Sequence, residues 1–254
     1  MEPGDRAEWF HRLDGAITTA LAPWARPDGP LVLLFSGGVD SGLLAWELRG
    51  RPKFTLFTIG SASGADLPVS TGAAPLVGVP GRSATVGTSE VRAVTERLAD
   101  QLDGLGRTAR SVLIAFALAV QLAPEGTVLC GQGADELFLG YAHFRGLGTD
   151  AAAARADEDL RRLIDVDWPR SVRATVRLGR VVVAPYLDPA FVEAARSIPI
   201  GHRVPIPHPK ALFRDWARHR GLPAAIADRP KRALQFGSGV DRLLVGGRRV
   251  GSRE

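Results

Sequence analysis

Residues 36–41 read Ser36-Gly37-Gly38-Val39-Asp40-Ser41; five apolar residues, Leu31 to Phe35, precede them and a helical run from Gly42 to Leu48 follows. That order predicts a buried strand, a tight turn and a helix N-terminus. Backbone N–H groups of such a turn point at an anion, and the helix dipole favours negative charge there. Gly37 and Gly38 allow close approach of the backbone. Ser36 and Ser41 can donate to phosphate oxygens. Asp40 would repel phosphate unless a cation lay between them, which implies Mg²⁺. The segment is not a Walker A loop, because it has no lysine followed by Ser/Thr.

A second segment, Cys130-Gly131-Gln132-Gly133-Ala134-Asp135-Glu136-Leu137-Phe138-Leu139-Gly140-Tyr141, follows another apolar stretch. Gly131 and Gly133 suit a turn where backbone meets a ligand, and Asp135 is a second candidate Mg²⁺ ligand. Two acids at neighbouring strand ends can hold cations against a triphosphate; a helix start with an acidic first turn would give the same residues. The chain has only three lysines, Lys53, Lys210 and Lys231, in a sequence that otherwise uses arginine. A compact ammonium and a planar guanidinium differ most beside a reacting phosphate.

The elements that must position these residues alternate. Strands are expected at 31–35, 54–59, 83–86 and 127–130. Helices are expected at 6–22 (ended by Pro23), from Gly42 to Gly50, through Val91, Val94, Leu98 and Leu102, and at 112–122. Residues 60–80, rich in Gly, Ser, Pro and Ala, read as a loop with a weak helix. The alternation predicts an α/β fold with a doubly wound parallel sheet, whose ligands bind outside the carboxyl ends of the strands. A core sheet over about 30–145 and a helical part over about 150–245 would form one domain of 1–254. In the helical part, helices are expected at 155–164, 189–198 and 210–220. Asp188-Pro189 reads as an N-cap followed by proline at the first helical position, a structural role. The tail after Gly246 reads as frayed.

At 254 residues the chain can bury a sizeable core. It has no run of eighteen apolar residues and no signal-peptide pattern, so no membrane association is expected. One cysteine excludes an internal disulfide and a cysteine-based zinc site, and fits a reducing, cytoplasmic location. The net charge of +5 is spread arginine with interspersed acids, which suits an anionic nucleotide and makes nucleic acid a weaker reading.

Ser36–Ser41 resembles the pyrophosphate loop of ATP pyrophosphatases. Taken with Gly131–Tyr141, it resembles the synthetase domain of asparagine synthetases and the related β-lactam synthetases. Further marks agree in order: Ala184-Pro185-Tyr186-Leu187-Asp188-Pro189, Lys210-Ala211-Leu212-Phe213-Arg214, and residues 229–240 from Arg229 to Val240. The resemblance implies an adenine-nucleotide α-hydrolase-like fold, with ATP and Mg²⁺ as cofactors. It implies adenylation of a carboxylate, aspartate or an analogue, followed by attack of ammonia or an amine. Ser36, Gly37, Gly38, Asp40 and Ser41 would hold pyrophosphate. Asp40 and Asp135 would bind Mg²⁺. Leu34 and the end of the second strand, up to Ile59, would meet adenine, with Gly131 and Gln132 lining the nucleotide site. Lys210 and Lys231 would stabilise the departing pyrophosphate, although by residue type alone Lys210 also reads as a solvated helix residue and Lys231 as a surface loop charge.

Two departures from the family pattern matter. Glu2 stands where asparagine synthetases carry a nucleophilic cysteine after the initiator Met, so nitrogen is expected from free ammonia, a separate glutaminase subunit, or an amine on the substrate. Gln132 stands where bacterial members often have glutamate; it can orient by hydrogen bonds but cannot take a proton, leaving Glu136 as the nearest alternative base. A tRNA-modifying pyrophosphatase and a non-catalytic nucleotide-binding subunit remain the other readings.

Overall fold

The computed structural model describes residues 3–26, 29–62, 64–204, 208–230 and 237–246. Five parallel strands form one sheet in the order β3-β2-β1-β4-β5: β1 Leu31–Leu34, β2 Phe54–Gly60, β3 Gly81–Thr85, β4 Thr127–Leu129 and β5 Val182–Val183. Successive connections carry the chain outward from β1 through β2 to β3, then back across to β4 on the other side. The winding reverses between β1 and β4, which opens a crevice at their carboxyl ends.

Strand alternation builds two cores. Leu31, Leu33 and Phe35 face one side of the sheet, with Phe54 and Leu56 of β2. That side is covered by the helices Pro3–Ala25, Val39–Leu48, Asp66–Val77, Pro189–Arg196 and Ala211–His219. Val32, Phe57, Ile59, Val128 and Cys130 face the other side, against the helices Thr88–Arg97, Arg107–Leu122, Trp168–Arg177 and Val240–Gly246. Both faces of the sheet are therefore dry, as an all-parallel sheet requires.

Several expected boundaries move. The first helix continues through Pro23 to Ala25; a proline in a last turn removes one ladder bond, which packing of the preceding apolar face tolerates. The stretch read as a loop with a weak helix holds the helix Asp66–Val77, and the third strand lies at Gly81–Thr85 rather than 83–86. The helix through Val91 to Leu102 divides at Leu98 into Thr88–Arg97 and Ala99–Leu102. The expected helix at 155–164 is Thr149–Arg162, followed by a π-helical turn at Leu163–Asp167 and then Trp168–Arg177. Asp188 is the expected cap: its Oδ1 accepts from the Ala190 N–H at 2.9 Å. Lys231 and the tail after Gly246 lie outside the described residues.

Many arginines pair with acids on the surface, among them Arg6 with Asp215, Arg155 with Asp159 and Arg220 with Glu47. Much of the positive charge is thereby matched locally. Among the described residues, no helix is long and apolar enough to cross a membrane.

Candidate active site

The loop after β1 is braced by its own side chains. The Ser36 N–H donates to Ser41 Oγ at 3.2 Å, and the Gly38 N–H donates to Ser36 Oγ at 3.4 Å. Gly37 has φ +72, and a Cβ there would stand 2.7 Å from Arg229 Nη1 and 3.1 Å from Ala73 and Val69. Glycine is thus required at 37 by backbone and packing together. Gly38 differs. Its φ of −89 suits any residue, and a Cβ there would meet only Ser36 Oγ, at an ordinary 3.5 Å. The open space beside Gly38, at the N-terminus of a ten-residue helix, is where an anion can approach the backbone.

Neighbouring elements then fix the loop from three sides. Gly131, just past β4, sits so close that a Cβ would lie 3.1 Å from Asp40 Cβ. The buried Tyr186, which follows β5, donates its hydroxyl to the Asp40 carbonyl at 2.8 Å. The Arg229 Nη1 donates to the Gly37 carbonyl at 3.3 Å.

Asp40 and Asp135 meet at one point. Lys210 Nζ lies 2.6 Å from Asp40 Oδ1 and 2.7 Å from Asp135 Oδ1. Lys210 is not a solvated helix residue: only 2% of it is exposed. It stands just before the helix Ala211–His219 in the left-handed region, φ +59, and its carbonyl accepts from the Arg214 N–H at 2.9 Å. Burial acts to lower the affinity of its amine for a proton, but Asp135 and Asp40 together outweigh it and hold the lysine more firmly protonated than usual. Gly140 completes the cradle, since a Cβ there would overlap Asp135 Oδ1 and Lys210 Cε.

Arg214 ties this turn to the chain that follows. Its Nε donates to the Pro209 carbonyl at 3.0 Å, and its Nη1 donates to the Ala227 carbonyl and, at 2.9 Å, to that of Arg229. One buried guanidinium therefore links the Lys210 turn to the segment whose Arg229 reaches the β1 loop. Beneath lie Phe213, Tyr186, Phe191 and Trp216, with neighbouring ring centroids 5.1–5.8 Å apart.

Beside the acidic pair, Glu136 is 5% exposed. Its Oε1 accepts from the Tyr141 hydroxyl at 2.6 Å, while Oε2 has no hydrogen-bond partner among the described residues. Burial, with the charge of Asp135 adding to it, pushes the Glu136 carboxyl from 4.5 up to about 7. A carboxyl raised on folding contributes stability that is complete below its unfolded value and disappears as pH climbs to the folded one. Glu136 therefore makes the protein less stable at pH 8 than at pH 5, by something on the order of 3 kcal/mol. In Glu136→Gln that part of the slope should vanish, so its melting temperature should fall less between pH 5 and 8 than the wild type's. Parallel slopes in the two proteins would show that Glu136 is ionised throughout.

The sequence-derived residues that come together here are Ser36, Gly37, Gly38, Asp40, Ser41, Gly131, Asp135 and Lys210. Gln132 is half-buried in the turn after β4. Leu34 is half-buried at the end of β1. The Ile59 side chain packs into the core, so only its backbone is available to a ligand. Cys130 is a packed residue whose thiol burial pushes up to about 12, which suits no nucleophile at neutral pH. Sequence reasoning gave no role to Tyr186, Arg214 or Arg229. All three lie inside motifs already singled out, but their targets are backbone carbonyls, distant in sequence for Tyr186 and Arg229.

The oxygen donors suit Mg²⁺. Among the described residues no cluster of three or more ligating side chains exists. Two carboxylates focused on one cationic centre, here the lysine ammonium, are the set Mg²⁺ takes when phosphate oxygens and water supply the rest.

The asparagine synthase family model matches residues 12–176 and 148–247. The protein provisionally named asparagine synthetase [glutamine-hydrolyzing] 1 from Methanocaldococcus jannaschii is 28% identical over 271 residues, covering 91% of this chain and 50% of that one. Asparagine synthetase domain-containing protein 1 of Mus musculus is 34% identical over 125 residues, 46% of this chain and 20% of its own. The chain thus spans about half the length of the archaeal relative. Among solved structures, NMN synthetase from Francisella tularensis aligns with a TM-score of 0.46 at 12% identity, over 95% of this chain and 86% of that one.

Proposed function

The chain belongs to the asparagine synthase family, and from that premise we propose that it is an ATP-dependent, AMP-forming amide ligase. A carboxylate oxygen of the substrate attacks the α-phosphorus of ATP, and the bond to the bridging oxygen breaks to release pyrophosphate. Ammonia or an amine then attacks the acyl carbon, loses a proton, and expels AMP to leave an amide. Aspartate is the first acid to test, with asparagine as its product. A separate glutaminase is one source of the nitrogen, and the cytoplasm is the setting that fits the single buried thiol.

The observation that carries this reading is the meeting of Asp40, Asp135 and Lys210 beside an open helix N-terminus. Negative charge grows on the bridging oxygen as pyrophosphate departs. Donors already aimed at that charge lower the barrier, because they need not reorganise. The first turn of the helix after the β1 loop would supply N–H groups, and Lys210 a buried ammonium. Asp40 and Asp135 would hold Mg²⁺, which when bound neutralises the phosphate tail. Leu34, the backbone of Ile59, Gly131 and Gln132 are the residues we assign to the adenine. Lys231 keeps the role proposed for it beside the leaving group.

The experiment is a pyrophosphate-release assay with ATP, Mg²⁺, ammonia and a panel of carboxylic acids headed by aspartate. One pyrophosphate and one AMP should appear for each amide formed. ADP and inorganic phosphate in their place, or no pyrophosphate with any acid, would overturn the reading.

A further inference from the structure

The two carboxylates that would hold a metal already have a cation. Lys210 Nζ donates a hydrogen bond to Asp40 Oδ1 at 2.6 Å and lies in ion-pair contact with Asp135 Oδ1 at 2.7 Å. Mg²⁺ binds carboxylate oxygens at about 2.0–2.1 Å and gives up its water reluctantly. On the side where the acids face each other, the same oxygens cannot serve a metal while the ammonium stays. Gly140 shows how tightly this space is filled, since even one added carbon would overlap both Asp135 Oδ1 and Lys210 Cε.

The lysine's backbone is fixed at both ends. Its carbonyl accepts the Arg214 N–H, and Arg214 Nε holds the carbonyl of the preceding residue, Pro209. Left-handed backbone at a non-glycine residue persists only where its surroundings over-determine it. The mobile part of Lys210 is therefore its four-carbon stem. An anion bound at the β1 loop would therefore act on the ammonium through that stem and leave the backbone turn in place.

We propose that Lys210 is the resident cation of the Asp40–Asp135 pair in the nucleotide-free protein, and that a divalent metal displaces it only when metal and phosphate arrive together. The phosphates then give the displaced ammonium a new anionic partner as the metal takes its old one. Metal alone offers the lysine no such exchange, since its charge would be left buried without a counter-ion. This inference rests on the ligase reading of the site. It goes beyond that reading in making the metal site conditional on the phosphate tail.

The test uses Mn²⁺ as the probe, with its uptake by the full chain followed by electron paramagnetic resonance. Wild type should take up no Mn²⁺ alone at concentrations where Mn²⁺ with inorganic pyrophosphate binds, a difference of at least about tenfold in apparent affinity. Lys210→Met should bind Mn²⁺ alone at least tenfold more tightly than wild type, and the gain should vanish in Asp40→Asn/Lys210→Met. The variant leaves two carboxylates without their partner, so its thermal stability is measured as well, and Mn²⁺ should raise it more than it raises the wild type's. The wild-type arms stand even if the variant does not fold. Tight uptake of Mn²⁺ alone by wild type overturns the displacement and leaves the ligase reading intact. Absence of uptake with pyrophosphate overturns both.

Discussion

Replacing Asp40 by asparagine is expected to slow pyrophosphate release about a thousandfold while the protein stays folded. Asparagine keeps an oxygen where Asp40 Oδ1 now accepts from Lys210 Nζ. The Tyr186 hydroxyl bonds the backbone carbonyl of residue 40, which the substitution does not touch. What disappears is one negative charge from a cluster of two partly exposed acids and one buried lysine. Lys210 and Asp135 then form a balanced pair, so the unfolding free energy should stay within about 1 kcal/mol of wild type. The lost charge is the one that would draw a metal to the phosphate tail, so the effect should fall on the chemical step. Urea unfolding and single-turnover pyrophosphate release together check the two halves. Near-normal turnover in a folded variant would remove Asp40 from the chemistry.

Arg214→Met should have the largest effect on stability. It abandons three carbonyls, the buried one of Ala227 and the partly buried ones of Pro209 and Arg229. Hydrogen bonds from a charged donor contribute about 1.5–3 kcal/mol each, and stranding a buried acceptor adds a penalty. Allowing for relaxation, a loss of about 3–5 kcal/mol is expected. Turnover should also fall more than about tenfold, because the Lys210 turn and the Arg229 segment lose their common anchor. Arg214→Lys keeps the charge but lacks the fork that reaches separated carbonyls, so it should recover only a minor share of both losses. Denaturant midpoints and saturating-ATP rates for the two variants decide the matter. A Lys variant indistinguishable from wild type would mean that charge, not geometry, is what Arg214 contributes.

Legibility from sequence followed the range of the interactions. The strands β1, β2 and β4 are apolar runs ending in glycine-rich turns, and such runs declare themselves locally. The helix Asp66–Val77 was obscured because Gly72, Pro75 and several alanines blur its periodicity. β5 was hidden for a different reason: two valines carry no alternation, and only pairing with Val128 and Leu129 makes them a strand. In the site, Ser36–Ser41 and Asp135 were readable because each sits directly after a strand. Lys210 was readable as a motif member but not as a buried ion-pair partner, since its partners are 170 and 75 positions away. Arg214 and Arg229 work through carbonyl oxygens, which every residue has and no sequence pattern marks. The positive-φ backbone of Lys210 had no signal at all, because lysine gives no hint of it.

The long separation of Lys210 from Asp40 also sets a timetable for biosynthesis. A ribosome delivers the β1 loop early, and both acids emerge well before the lysine that neutralises them. Until residue 210 clears the exit tunnel, the nascent sheet presents two unscreened carboxylates to solvent. Packing of the crevice therefore waits for the late segment that brings β5, Tyr186 and Lys210 into place. Translation thus delivers the site's counter-charge last, and a growing chain stalled at four strands would lack Tyr186, Lys210 and Arg214 altogether.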